Sequence, residues 1–117
     1  MARITAIPDP LERRHLVERE LASEHALRIA DAYVALDRTW EAIAFLGKAG
    51  ANDRIAALRD AAVGTGDTFL VRELSRALRD ELPAARWCEV AAAAEAAGKE
   101  RYAAQARRLA DRAEGRA

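Results

Sequence analysis

From Asp9 to Arg112 the sequence is punctuated every dozen or so residues by a residue that starts or stops a helix. Between these marks the apolar residues recur three and four apart. Asp9-Pro10-Leu11-Glu12 is a helix start: Asp caps, Pro takes the first helical position, and Glu three residues on can reach back to the cap. This first helix is predicted to run to about Ala22. Ser23 caps a second, to about Asp37, and Thr39 opens a third that stops at Ala49-Gly50. Asn52 or Asp53 caps a fourth that stops at Val63-Gly64. Asp67 caps a fifth that ends before Pro83, which opens a sixth running to Gly98. A seventh covers about Lys99 to Arg112, with Tyr102, Ala106 and Leu109 facing inward. β-Branched residues are few and strict alternation is absent, so no strand is expected.

Connections of two to four residues force sequential helices to lie antiparallel. The pattern therefore predicts an all-α chain of about seven helices in a single domain spanning 1–117. Residues 1–22 form an N-terminal extension and capping helix, and 23–50, 51–82 and 83–114 form three helical hairpins. The capping helix and the extended Ile4 to Pro8 segment are expected to cover the open apolar side of the first hairpin.

Composition narrows the function classes. The chain has 117 residues, with 19 Lys+Arg against 19 Asp+Glu, a formal net charge of zero. A protein built chiefly to neutralise phosphate backbones would carry net basic surface, which argues against nucleic acid as the partner. Alanine supplies 30 residues, which suits close helix packing but not a deep enzyme cavity. The Arg excess over Lys reads as GC-rich coding and carries no functional weight. Cys88 is alone, so an internal disulfide and a multi-cysteine metal site are both excluded, and a buried reduced thiol is expected. No apolar run has the length of a signal peptide or of a membrane span. The expectation is a cytoplasmic protein with no membrane partner.

The hairpins match one another in kind. Ile29, Ala30 and Tyr33 are followed across a turn by Ala42, Phe45 and Ala49; Trp87, Val90 and Ala91 are followed by Gly98, Ala103 and Ala110. The middle hairpin fits loosely, through Leu58, Ala61, Leu70, Leu74 and Ala77. Over about Glu24 to Ala113 this resembles the tetratricopeptide repeat, whose hairpins carry an aromatic, a Leu and a small residue on the first helix and small residues on the second. The resemblance implies a short right-handed α-α solenoid. Small residues at Ala30, Ala42, Ala49, Ala91, Ala103 and Ala110 would let helices approach, and Tyr33, Phe45 and Trp87 would fill the core. It also implies a concave groove lined by the first helix of each pair. Matching positions are Leu27, Asp31 and Val34, then Ile55, Arg59 and Ala62, then Cys88, Ala92 and Glu95. The Lys-and-Asn set with which some family members hold a carboxylate tail is absent. Leu27 and Ile55 could equally be covered by the N-terminal helix, leaving no groove.

Catalytic chemistry finds little footing. Glu12-Arg-Arg-His15 has the Glu-x-x-His spacing of helical di-iron sites, but no Glu stands three residues before His25 to supply the second copy. Ser23 and Ser75 lack a nucleophile elbow. Gly64-Thr-Gly66 before Asp67 could meet an anion at a helix start, yet it lacks the lysine and strand of a phosphate loop and reads better as a turn. Arg72, Glu73, Arg76, Arg79, Asp80 and Glu81 mix signs along one helix and read as a solvated face with local ion pairs. The expected function is a non-catalytic interaction module or adaptor. It would bind a peptide or helix of a protein partner through Leu27, Asp31, Val34, Ile55, Arg59 and Glu95, with no metal or cofactor. The alternative is a self-associating structural domain, a homodimer held by Trp87 and Tyr102; a small helical metal-binding enzyme ranks third.

Overall fold

Local rules place most of the helix boundaries. A computed structural model describes residues 7–115, and among these it contains seven helices and no strand: α1 Pro10–Glu18, α2 Ser23–Ala35, α3 Thr39–Ala49, α4 Asn52–Thr65, α5 Thr68–Leu78, α6 Ala84–Ala96 and α7 Glu100–Glu114. Asp9 Oδ1 accepts the Glu12 N–H at 2.8 Å, and Asp67 Oδ1 accepts the Leu70 N–H at 3.0 Å. Each satisfies one of the donors that a helix start leaves orphaned. Gly50 ends α3 in the left-handed region at φ 65.

Four boundaries depart from expectation, one of them the start of α4, where Asn52, expected with Asp53 as a cap, is itself the first helical residue. α1 stops at Glu18 rather than Ala22, because Arg19 turns extended and its carbonyl is taken by Lys48 Nζ at 2.6 Å. Ser23 is the first helical residue of α2 rather than its cap; Ala22 stands at the cap and offers no side-chain bond. α4 runs through Gly64 to Thr65, and the stop is Gly66 at φ 72.

The chain divides into two compact units, 1–55 and 56–117. In the first, α2 packs along α3. Tyr33 and Phe45 stack with ring centroids 5.9 Å apart, and Ile29, Ala30, Ala42 and Leu46 close round them, all 3% exposed or less. α1 is fastened by one arginine. Arg13 lies 5.6 Å from the Tyr33 ring centroid and 5.5 Å from that of Phe45, and its Nη2 donates to the Glu41 carbonyl at 2.9 Å. Such a cation over aromatic faces adds about 0.5–2 kcal/mol beyond the bond itself. Leu16 from α1 is also buried, while Leu27 and Val34 of α2 are half-buried. Ile7 and Pro8 are half-buried too; Ile4 and the rest of the segment expected to cover this hairpin lie outside the described residues.

In the second unit α6 packs along α7, and α5 touches both. Ala91, Ala94, Ala103, Ala106 and Ala110 are buried, so the two helix backbones approach through methyl groups. Ala103, Ala106 and Ala110 take the seam as the spacing predicts, while Tyr102 and Leu109, expected inward, are half-buried. The Gly66 turn sits against α6 so closely that a Cβ there would fall 2.3 Å from the Ala94 amide nitrogen. Thr68, fully buried, donates its hydroxyl to the Tyr102 carbonyl at 2.9 Å. Cys88, expected buried, is exposed. Trp87, Val90, Ala91 and Ala94 turn the other face of α6 inward, and a neighbour one residue from Trp87 is rotated about 100° from it.

Candidate functional site

Two runs of sequence bring the principal site together in the second unit. The first is α5 with the connection that follows it. Arg72 and Arg76 stand four residues apart and share one helix face, and Arg79 follows three residues on, at the C-cap. α5 then ends at Arg79 in the left-handed conformation, φ 54, where Arg79 N–H bonds the Arg76 carbonyl and Asp80 N–H bonds the Ser75 carbonyl, each at 3.1 Å. This closure is ordinarily made by glycine. It turns the chain so that Leu82 is buried, 4% exposed. The second run is Trp87 on α6 facing Leu109, Arg112 and Ala113 on α7.

Between them opens a cavity of about 540 Å³, inside the ~300–1,000 Å³ range of ligand pockets. Its deep lining is apolar: Leu82 and Trp87 are buried and Leu109 is half-buried. Its mouth is charged: Arg76, Arg79, Asp80, Glu81 and Arg112 are exposed, with Arg72 and Ser75 half-buried below them.

The charges at the mouth are unequally engaged. Asp80 is held by Arg59 of α4: Arg59 Nη2 donates to Asp80 Oδ2 at 2.7 Å, and Nη1 donates to the Asp80 carbonyl at 2.7 Å and to Ser75 Oγ at 3.0 Å. The Arg59 side chain is 12% exposed and that of Asp80 63%, so the clamp is withdrawn from solvent on the arginine side alone. Arg76 is paired with Glu73 at 3.0 Å on its own helix. The guanidinium groups of Arg72 and Arg79 make no hydrogen bond or ion pair among the described residues. One acid is thus spent internally, while Arg72 and Arg79 are open.

The residues implied by the repeat resemblance fall as follows. In the first unit Leu27 and Val34 are half-buried, Asp31 is exposed and ion-paired with Arg54, and Ile55 is fully buried. In the second unit Arg59 clamps Asp80, Ala62 is buried, Cys88 and Ala92 are exposed, and exposed Glu95 pairs with Arg107 at 2.9 Å. Trp87 is 6% exposed, a cavity wall rather than an outer contact, and Tyr102 is half-buried. Glu12, His15 and His25 are exposed, and among the described residues no three potential metal ligands gather. The Gly64–Asp67 segment is a packed turn whose amides are used internally, Gly66 N–H to Val63 and Asp67 N–H to Ala62.

Sequence reasoning saw the arginines of α5 and read them as solvated. The spacing marked a shared face, but it held no sign of the cavity that α7 and Trp87 build beside it. Away from the cavity, Arg38 bonds Glu41 with two contacts of 2.6 Å, which holds the Glu41 carboxyl below its ordinary value and Arg38 above its own. No helix among the described residues is long and apolar enough to cross a membrane. Compared with family models, with curated proteins and with solved structures, the chain finds no match.

Proposed function

We propose that the protein is a non-catalytic interaction module of the helical-hairpin solenoid type, binding a segment of a protein partner in the cavity of its second unit. The observation that carries this reading is the combination of a buried apolar lining, Leu82 and Trp87, with an arginine-bearing mouth. Pockets of that make-up take one bulky side chain inside and fix the flanking polar groups at the rim. The hairpins α2–α3 and α6–α7, with small residues at Ala30, Ala42, Ala91, Ala103 and Ala110, support the repeat reading. Asp31 and Glu95, exposed but each engaged with an arginine, are given peripheral roles.

The test is capture from extract with the immobilised full chain beside two folded variants. Ala113→Phe fills the cavity from an exposed position of its lining. Asp31→Arg alters the first hairpin instead. A partner held by the wild type and by Asp31→Arg, but lost by Ala113→Phe, is the expected result. Retention by all three would remove the cavity from the interaction, and absence of any specific partner would sink the module. Arg59→Glu is not a clean test of a groove, since it also breaks the Asp80 clamp.

A further inference from the structure

The arginine mouth carries information about what the cavity takes. Resting on the module reading above, we infer that the occupant is an acidic amphipathic helical segment of a partner protein, with two carboxylates one on each side of a bulky apolar residue. Arg72 on α5 and Arg79 at its C-cap are seven residues apart, which sets their backbone positions about 10 Å apart at ~1.5 Å per residue. Arg76 between them already has Glu73. The open positive charge therefore extends from two backbone positions about 10 Å apart, with Trp87, Leu82 and Leu109 in the same lining. A partner helix with acidic residues at i and i+7 matches that separation. Its residue at i+3 or i+4 projects from the same face, between the carboxylates, and enters the apolar lining.

The Arg59 clamp makes the selection sharper. Asp80 stands at the mouth, and a free carboxylate there would repel an acidic segment. Arg59 Nη2 takes it at 2.7 Å, with Nη1 on the Asp80 main-chain carbonyl at 2.7 Å, which leaves Glu81 at the mouth against Arg72 and Arg79 and the balance cationic. Arg59 is a positioning residue in this scheme: it neutralises Asp80 and touches no ligand. A lone inorganic anion or a single C-terminal carboxylate meets only one of the two charge points, and an uncharged apolar helix meets neither.

The protein supplies its own reporter. Its two tryptophans are Trp40 and Trp87, so the full chain carrying Trp40→Phe emits from the cavity wall alone. The probe is a synthetic peptide of about 15 residues, long enough for a marginal helix. It is acetylated and amidated, free of Trp and Tyr, with two Glu seven positions apart and Leu between them on the same face. The expected result is a saturable shift of Trp87 emission. Replacing both Glu by Gln should weaken binding about tenfold, the scale of one to two charge-assisted contacts. Arg72→Glu and Arg79→Glu should each weaken the acidic peptide by a similar factor. Arg101→Glu, at an exposed position of α7 outside the cavity lining, should leave it unchanged.

Equal affinity for the Glu and Gln peptides would overturn the acidic occupant while leaving the module intact. Tighter binding of a neutral peptide ending in a free C-terminal Leu would replace the helix by a chain end. The same emission shift with inorganic phosphate alone would reduce the site to a simple anion site. Silence of Trp87 toward every peptide would overturn the inference together with the cavity reading beneath it.

Discussion

Arg79 occupies a backbone conformation that costs an ordinary L-residue about 1–2 kcal/mol, and it does so at the mouth of the cavity. Among the described residues Asp37 is the other non-glycine residue at positive φ, but Asp reaches that region several times more readily than Arg. Replacing Arg79 by Gly removes the steric cost and adds about 0.5–1 kcal/mol of backbone entropy to the unfolded chain. The variant should come out more stable by about 0.5–1 kcal/mol, a rise of roughly 2–5 °C in Tm for a chain of this size. Its binding of an acidic segment should fall. A lowered Tm would mean that the Arg79 side chain itself makes contacts that outweigh its backbone strain. The Arg38–Glu41 pair gives a second prediction, in pH. The bonded guanidinium holds the Glu41 carboxyl below its ordinary value near 4.5. A depressed folded value means that the unfolded chain binds the proton first. The pair's contribution is therefore present above about pH 4.5 and is lost as pH falls through the folded value. Arg38 titrates far above this window. Glu41→Gln should thus be less stable than wild type at neutral pH, with the gap narrowing on acidification in denaturant melts followed by circular dichroism. A gap that stays constant down to pH 3 would show that the carboxylate charge contributes nothing.

At the scale of elements, what was legible in the sequence and what was not divide by contact range. The caps at Asp9 and Asp67 and the stop at Gly50 are interactions within four residues, so single-chain spacing reveals them. So are the small seam positions Ala30, Ala42, Ala91, Ala103 and Ala110, because periodicity alone identifies the inward face. The end of α1 could not be read, since it depends on Lys48, which is 29 residues from Arg19. The mouth of the cavity could not be read either: Arg59 finds Asp80 across 21 residues, and Trp87 meets Leu109 and Ala113 only once α6 and α7 have packed. Gly66 shows both kinds of determinant at once. Its φ of 72 is a local matter of ending α4. Its contact is long-range, with a hypothetical Cβ 2.3 Å from the Ala94 nitrogen and 2.8 Å from the Ala93 carbonyl carbon. Backbone cannot yield as the tip of a side chain does, so Gly66→Ala combines left-handed strain with overpacking, about 2–4 kcal/mol together. Gly64→Ala, with open space round the new methyl and an ordinary helical position, should be neutral or gain up to about 1 kcal/mol. Urea midpoints of the two variants would settle it: comparable losses would mean that the turn does not press on α6.

Over the whole molecule the charges cancel, 19 against 19, so any electrostatic preference must come from how they are distributed. Several arginines are paired with acids: Arg54 with Asp31, Arg86 with Asp60 and Glu89, Arg107 with Glu95, Arg59 with Asp80. A surface so paired exerts little long-range pull on a charged partner, and the open guanidinium groups at the cavity act within a Debye length. This fixes the salt dependence. Two exposed ion pairs formed on binding contribute about 0.5–2 kcal/mol at low ionic strength. Near 1 M salt, where the screening length is about 3 Å, most of that is gone. The affinity for the acidic peptide should then fall by roughly 2- to 30-fold between dilute buffer and 1 M salt. The Gln peptide, held by apolar contact alone, should hold steady or tighten slightly. A nucleic-acid binder engaging six or more phosphates would lose about 10³-fold or more between 50 and 200 mM salt. Titrations at several ionic strengths, read by Trp87 emission, separate these cases by slope alone: a shallow slope for the Glu peptide and none for Gln keeps the charge in the arginine mouth, whereas equal slopes for both would assign it to the rest of the surface.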